Sequence, residues 1–517
     1  MGFGASDTSE GLMKRFLSLL LILLGLVCES AAADQSASKI IDRFKKASGG
    51  KLAARVKSTL LTGSVRAMDG TAGRFSVQTS APNNLRVDLD IGESKISECY
   101  NGKSAWRLDA RGLRTLLGDE AKRLRLESLL SNSRLNDLQR NRIVPQLAGK
   151  STIDGRESNA IEFIRDGIRV KLFFDASNHL TLKRERETAD GLEEIFYDNY
   201  KAVDGVMEPF SLKIKKGASE LLVTIDRVEH NRTVELAAFR YPQIEGSRPL
   251  PELEPLMKAI TENQDKVDAM RERYTCRLDQ IDRKHDGDGR VKETETRTFE
   301  VTPIGDRFVR RLISVNGKEL SASEREKEDK RVQKAVEDII ERREKKEQRE
   351  ERARAKGEKE KKDEGNVEIM DFLRISEITS IRREIFRGHE VIAFDFEPRK
   401  GFKPRTRGED IANKLAGTIW VDESAQQVAR LEARLTDSYK IGGGMLASIG
   451  ASTAFSFEQE KIGDEVWLPS SMEANISARV LLLAKFNHSV QRRFSEYKKY
   501  QIDSKYDLTR PKENAKP

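Results

Sequence analysis

Residues 170–175 read VKLFFD, and residues 417–422 read GTIWVD. Each run has the length and residue types of a strand, and each ends in an Asp of the kind that starts a turn. Both lie within longer stretches, 154–209 and 387–469, that repeat one order of elements. That order is a turn, a strand, a strand ending in Asp, another strand, a second turn, and a strand ending at Pro. A repeat this long predicts two copies of one domain, because the units of a solenoid are much shorter.

The composition sets broad limits on the class of protein. A chain of 517 residues with 37% apolar residues suits two or three domains, each with its own core. The formal charge of +8 is modest for this length. No stripe of Arg and Lys with aromatic residues is visible, so a nucleic acid partner is not expected. A basic surface could also face anionic lipid headgroups, so the charge alone names no partner.

The first 33 residues are predicted to be a secretory signal peptide. Met13-Lys14-Arg15 precedes an apolar run over 16–27, and Ala31-Ala32-Ala33 follows. Met13 is the expected start, with residues 1–12 a mis-assigned extension. The run is short for a membrane span, although an uncleaved anchor is the alternative. We therefore expect export to the periplasm. Val27 precedes Cys28, where a lipoprotein signal has a small residue, so lipid anchoring is not expected.

Two cysteines remain after the signal peptide, Cys99 and Cys276, one in each half. A single disulfide between them is one interpretation, and two buried free thiols are the favoured one.

The first half predicts an α+β domain over 34–243. Helical patterns cover 38–56 and 119–140, and short alternating strands fill most of the rest up to 240. An antiparallel sheet of so many strands is wide enough to curl, and the helices are expected to pack on its concave side.

The second half, after a linker at 244–251, predicts a second such domain over 252–510. A charged segment at 322–365 interrupts it. We favour a solvated helix that docks at its start, where Val332, Val336 and Ile340 share a face. A coiled coil and a nucleic acid site are the alternatives, but no continuous apolar seam persists to support the coiled coil.

No motif for catalysis, cofactor binding or metal binding is found. The five histidines have no metal-ligand spacing, and the chain lacks GxSxG, Walker and GxGxxG motifs. Asp175 and Asp422 occupy equivalent strand ends, where turn formation explains them. The sequence therefore predicts a protein that is not an enzyme, with no cofactor and no metal.

One uncharged loop at 441–450 has no counterpart in the first half. Its apolar residues Met445, Leu446 and Ile449 either tuck into the domain core or form a lid or membrane-dipping finger.

A family resemblance rests on several motifs taken in order. The first half contains Ala81-Pro82-Asn83, the segment 101–106 (NGKSAW), the turn 154–157 (DGRE) and the segment 200–206 (YKAVDGV). These residues resemble the outer-membrane lipoprotein-sorting proteins of the LolA/LppX type, over 35–243 and more loosely over 250–506. The resemblance implies two tandem LolA-like domains. Each would be an incomplete antiparallel barrel with helices across its mouth and an apolar cavity for acyl chains, without catalytic residues.

Large apolar residues of the strands are the candidate cavity lining. In the first domain they are Trp106, Phe163, Phe173, Phe196 and Phe210; in the second they are Phe394, Phe396, Trp420, Phe455 and Trp467. Plain core packing is the competing interpretation for each, because side chains alternate between the two faces of a strand.

The predicted function is that of an exported carrier that holds lipid or lipoprotein acyl chains in one or both cavities. The alternative is an interaction or sensor module of the same fold with a filled core, which contacts an envelope protein.

Overall fold

A computed structural model describes most of the chain. The described ranges are 37–188, 191–244, 248–286, 291–304, 307–355, 374–441, 447–450, 453–463, 466–480 and 484–499. The predicted signal peptide lies outside them. Contacts divide the chain into two units, one up to Pro242 and one from Gln243. The predicted domain limits at 34–243 and 252–510 remain predictions.

The first unit contains one antiparallel sheet of 13 strands. They are β1 (Ser58–Ala67), β2 (Ala72–Ser80), β3 (Asn84–Ile91), β4 (Ser94–Asn101), β5 (Ala105–Asp109), β6 (Gly112–Leu116), β7 (Val144–Ile153), β8 (Arg156–Arg165), β9 (Ile168–Asp175), β10 (Thr181–Thr188), β11 (Gly191–Val203), β12 (Val206–Lys216) and β13 (Ser219–His230).

The order of strands in this sheet determines how it is covered. It is β6-β5-β4-β3-β2-β1-β13-β12-β11-β10-β9-β8-β7, so two meanders meet where β1 pairs with β13. β6 and β7 form opposite edges of the described sheet yet follow one another in the chain. Their connection must therefore cross a face of the sheet, and helix α3 (Gly118–Ser133) lies in that connection.

Two short helices precede this sheet. Helix α1 covers residues 37–47 and α2 covers Lys51–Ala54. The sequence predicts one helix over 38–56, but Gly49 and Gly50 have φ angles of 123° and 54° and break it. Helix α3 ends at Ser133, because the next residue, Arg134, has a left-handed φ of 45°, so the helix is shorter than the predicted 119–140.

The second unit also contains a 13-stranded sheet. Its strands are β14 (Tyr274–His285), β15 (Val291–Ile304), β16 (Arg307–Val315), β17 (Lys318–Glu319), β18 (Ser376–Phe386), β19 (His389–Pro398), β20 (Leu415–Asp422), β21 (Gln427–Leu435), β22 (Tyr439–Ile441), β23 (Ala447–Ile449), β24 (Ala454–Ile462), β25 (Val466–Val480) and β26 (Ala484–Lys499). Its helices are α4 (Leu253–Arg271), α5 (Ala322–Ala355) and α6 (Arg407–Ala412).

The second sheet repeats the topology of the first. Its main order is β17-β16-β15-β14-β26-β25-β24-β21-β20-β19-β18, with β23 paired to β25 and β22 paired to β23. β14 pairs with the next strand and with the last strand, as β1 does in the first unit. The edge strands β17 and β18 are again consecutive. Helix α5 thus occupies the same place in the topology as α3, although the sequence presents it as an insertion.

The turns of the two copies agree in atomic detail. The Asp175 carboxylate accepts hydrogen bonds from the backbone N–H and the hydroxyl of Ser177, at 2.7 and 2.5 Å. The Asp422 carboxylate accepts the same pair from Ser424, at 2.9 and 2.6 Å. These contacts confirm that both Asp residues form turns, and they support the duplication.

The predicted fold class is confirmed. Within the described ranges both sheets are antiparallel and unclosed, since no pairing joins β6 to β7 or β17 to β18. Helix α3 packs on the first sheet and α4 on the second. None of the helices in the described ranges is long and apolar enough to cross a bilayer.

Candidate functional site

A cavity of about 640 Å³ lies in the first unit, between the sheet and α3. Apolar side chains from both halves of the sheet and from the helices form most of its wall: Phe44, Leu61, Phe75, Val77, Leu85, Val87, Leu89, Ile96, Leu116, Leu124, Leu130, Leu135, Val170, Leu172, Ile195, Tyr197, Tyr200, Met207, Leu212, Ile214 and Leu221. The sheet face that carries them is called the inner face below.

Strand alternation selects these residues. In β3 the side chains of Leu85, Val87 and Leu89 line the cavity, while those of Arg86 and Asp88 point to the opposite face, where they form an ion pair of 2.9 Å. Antiparallel pairing then aligns the apolar positions of neighbouring strands: Val77 lies opposite Val87, and Phe75 opposite Leu89. The result is a continuous apolar surface across the sheet.

The cavity stays open because α3 is held at the sides of the sheet. On one side Leu126 and Leu129 of α3 join Phe163 and Phe174 in a buried cluster. On the other side Leu124 packs with Leu85, Tyr100, Ala105 and Leu116. Between these contacts several lining residues, such as Val87 and Leu89, are only partly buried. Among the described residues, no side chain fills the space above them.

The cavity has an open and a closed end. Glu208 near the start of β12 and Lys216 at its end both line it, which corresponds to about 26 Å of strand. At the Lys216 end the lining residue Ser219 is exposed, and Glu98 and Arg107 are 23% and 26% exposed. At the Glu208 end, Ser48 and Thr79 are buried. Solvent therefore reaches the cavity from the Lys216 end.

A buried ion cluster links α3 to the sheet near the open end. The carboxylate of Glu127 accepts a hydrogen bond from Arg186 and lies 3.3 Å from Nη1 of Arg184. Nη2 of Arg186 also donates to Glu193 at 2.9 Å. Burial alone would raise the pKa of Glu127, but the two guanidinium groups outweigh it and lower this pKa. Glu127 is therefore ionised at neutral pH.

A second cluster fixes the end of α3 at the closed end. Nη2 of Arg134 lies 2.6 Å from Oε1 of Glu208, and Nε2 of His230 lies 2.8 Å from the same oxygen. Burial would raise the pKa of Glu208, but the contacts with His230 and Arg134 lower it. The two clusters together hold the covering helix with charge-assisted contacts.

The five aromatic residues predicted as lining in the first unit do not line this cavity. Trp106 is buried on the opposite, outer face, where its Nε1 donates to the carbonyl of Phe239 at 3.1 Å. Phe173 and Phe196 also lie on the outer face, with the Lys183 ammonium 4.5 and 5.6 Å from their ring centroids. Phe163 is on the inner face but is covered by α3.

Phe210 is partly buried, with the Lys201 ammonium 4.6 Å from its ring centroid. Choosing the largest apolar residues thus did not identify the residues that line this cavity. The signal that would have found it is alternation, as in Leu85, Val87 and Leu89.

The predicted residues of the second unit divide between the two faces of its sheet. Phe394 and Phe396 pack against Leu256, Met257 and Ile260 of α4. Phe455 lies opposite Ala433 on the same face and is 37% exposed.

The two tryptophans are fully buried and hydrogen-bonded. Trp420 donates to Glu384, and Trp467 donates to Asp422 at 3.2 Å. A ligand-binding role for any of these five remains a prediction.

Met445 and Leu446 lie outside the described residues. Ile449 belongs to β23, which pairs with β25. The lid or membrane role of the loop remains a prediction.

Cys99 and Cys276 are both free and buried, as the sequence favoured. Burial raises the pKa of Cys276 to about 11, so its thiol is unreactive at neutral pH. In the described ranges no group of three His, Cys, Asp or Glu side chains is arranged to hold a metal ion.

Among the described side chains of α5, those that dock on β16 lie near the start of the helix. Val332 is buried, Asp329 pairs with Arg311, and Glu328 accepts the backbone N–H of Leu312 at 2.6 Å. Ile340, two turns further, is 47% exposed. This is the docked and then solvated helix that the charge pattern favoured.

No family model and no curated protein matches this chain. Solved structures do. A LolA superfamily protein from Nitrosomonas europaea is similar at 17% identity and a TM-score of 0.29, over 40% of this chain and 97% of that one. LprF from Mycobacterium bovis is similar at 10% identity and a TM-score of 0.17, over 39% and 96%. The MucA/MucB complex of Pseudomonas aeruginosa gives 8% identity and a TM-score of 0.17, over 89% and 94%. The first of these structures is of the LolA type that the motifs of the first half resemble.

Proposed function

We propose that the first unit binds an amphiphile and carries its acyl chain in the cavity, within the periplasm and after export. The observation that supports this is the apolar wall of a cavity of about 640 Å³. Ligand sites commonly measure about 300–1,000 Å³ and are mainly apolar with a few polar groups. This function involves no chemical step, because holding an acyl chain needs no catalytic residues.

The strength of such binding depends on chain length. Burial of each methylene contributes about 0.8 kcal/mol. Each added methylene should then improve the Kd about fourfold until the cavity is full. Short chains should bind weakly, since they do not offset the free energy lost on association.

The test is a displacement titration with fatty acids of increasing length against a fluorescent fatty acid. The blocking variant is Val87→Trp, which places an indole in the cavity from a half-buried position on β3. The matched control is Leu222→Trp. Leu222 is 48% exposed and follows the lining residue Leu221, so it lies on the outer face.

We expect Val87→Trp to weaken long-chain binding at least about tenfold and Leu222→Trp to leave it unchanged. Both variants should keep the thermal transition of the parent. The proposal fails if the parent shows no dependence on chain length, or if the two variants behave alike.

The interaction module remains the second candidate function. The feature that favours it is α5, whose later residues, such as Ile340, stand exposed on a long helix with a docked start. Deletion of residues 333–355 should abolish capture of an envelope protein if α5 is the contact, and should leave lipid binding unchanged. Native mass spectrometry after gentle purification separates the two functions. A co-purified lipid supports the carrier, and a bare chain with a bound protein supports the module.

A further inference from the structure

Arg184 is an under-satisfied guanidinium in the wall of the cavity. Its Nε is buried and has no hydrogen-bond partner in the described part of the chain. Its nearest carboxylate oxygens are Oε2 of Glu127 at 3.3 Å and Oε1 of Glu193 at 3.9 Å. Both distances exceed those of direct charge-assisted hydrogen bonds, which are about 2.7–2.9 Å.

Arg186 explains why Arg184 has no short hydrogen bond to a carboxylate. Arg186 donates directly to Glu127 and also to Glu193. The two carboxylates are therefore already engaged by one guanidinium. Arg184 adds a second positive charge to the same cluster. A buried polar group without a partner is costly, so a ligand oxygen that reached Arg184 would relieve that cost.

The position of Arg184 suits the head of an amphiphile. Arg184 lies on β10 next to Arg186, within the charged part of the wall near the open end, and its side chain is 18% exposed. Arg123 of α3 lines the same region. An acyl chain that enters from this end reaches toward Glu208 and leaves its head beside these two cations. The carboxylates of Glu127 and Glu193 do not repel that head, because Arg184 and Arg186 together balance their two charges.

We propose that Arg184 binds an anionic oxygen of the ligand head, so that the first unit selects acidic amphiphiles that carry a phosphate or a carboxylate. This inference rests on the proposed function and specifies its ligand class. Arg184 supplies a fork of N–H donors that matches both oxyanions.

The experiment compares two ligands that differ only in the phosphate, 1-palmitoylglycerol 3-phosphate and 1-palmitoylglycerol, by calorimetric titration of the full chain. The parent should bind the phosphate ligand at least about tenfold more tightly. Arg184→Gln should bring the two affinities within about twofold of each other and leave that for 1-palmitoylglycerol unchanged. Arg184→Lys should keep part of the preference. The control is Arg169→Gln, at an arginine 64% exposed outside the cavity lining.

The outcomes separate the two proposals. Equal affinities in the parent overturn the role of Arg184 and leave the carrier intact. Failure of both ligands to bind overturns the carrier itself. Displacement of 1-palmitoylglycerol 3-phosphate by glycerol 3-phosphate alone, with equal affinity, indicates a site for free phosphate and overturns the amphiphile head. If Arg184→Gln does not fold, the preference of the parent and its loss at high salt still decide the matter.

Discussion

The two units share a topology but cover their sheets differently. In the first unit the edge-to-edge helix α3 spans the inner face, attached at its sides, and a hollow remains beneath it. In the second unit α4, which precedes its sheet, packs directly on Phe394 and Phe396, both of which are fully buried. The helix in the edge-to-edge position, α5, has few apolar residues and docks by a single turn or two. One topology can therefore produce a cavity or a packed core, depending on which connection carries the apolar helix.

The largest expected effect is on the stability of the second unit, where α4 packs directly on the sheet. Phe394→Ala should destabilise the second unit by about 3–5 kcal/mol, because it opens a void against α4. Val87→Ala in the first unit should cost about 1 kcal/mol, because its side chain already faces a hollow. Chemical denaturation followed by tryptophan fluorescence measures both.

A Trp106→Phe background restricts that signal to the second unit, where the other two of the three tryptophans, Trp420 and Trp467, lie, and a Trp420→Phe/Trp467→Phe background restricts it to the first. Equal costs for the two alanine variants would mean that the units are packed alike.

An intermediate effect concerns pH and the first unit. The pKa values of Glu127 and Glu208 are lowered in the folded chain. A lowered carboxyl pKa stabilises the fold above the unfolded pKa of about 4.3, and that stability is lost as pH falls through the folded value. The urea midpoint of the first unit should therefore drop below about pH 4.

The double variant Glu127→Gln/Arg186→Gln removes the ion pair and should flatten that pH dependence. A midpoint that rises on acidification would contradict the assignment. Glu208→Gln gives an independent check at the other end of α3.

The smallest effect is expected at α5. Val332→Asp should undock the helix and speed hydrogen exchange over 322–340, because it buries a charge among apolar atoms. Ile340→Asp, two turns along the same helix, should change neither exchange nor stability measurably. If Ile340→Asp has the larger effect, α5 is held by contacts beyond its start.

Much of the fold follows from local sequence signals. The Asp175 and Asp422 turns and the alternation in residues 85–90 each predicted the element that is observed, and the charge pattern of 322–365 predicted the helix seen over its described part, 322–355. The fold class follows as well, since an antiparallel sheet of so many strands must curl. The resemblance to a family was visible in the order of weak motifs.

The cavity lining was not predictable from residue size. Phe173 lies on the outer face and Leu172 on the inner face, one residue apart, and only the register with β8 and β10 decides between them. The ion cluster at Glu127 joins residues about 60 positions apart in the chain. A single sequence carries no signal for such a pairing, because it depends on how α3 crosses the sheet.

An open sheet also leaves free edges, which in other molecules invite self-association by strand addition. The edge strand β7 contains Pro145, which offers no N–H, and a bulge at Leu147 and Gly149 followed by Lys150. A second copy of the chain could form no regular ladder of backbone hydrogen bonds with β7, and it would meet a charged edge. The sheet of the first unit can therefore stay unclosed around its cavity without presenting β7 as a template for aggregation.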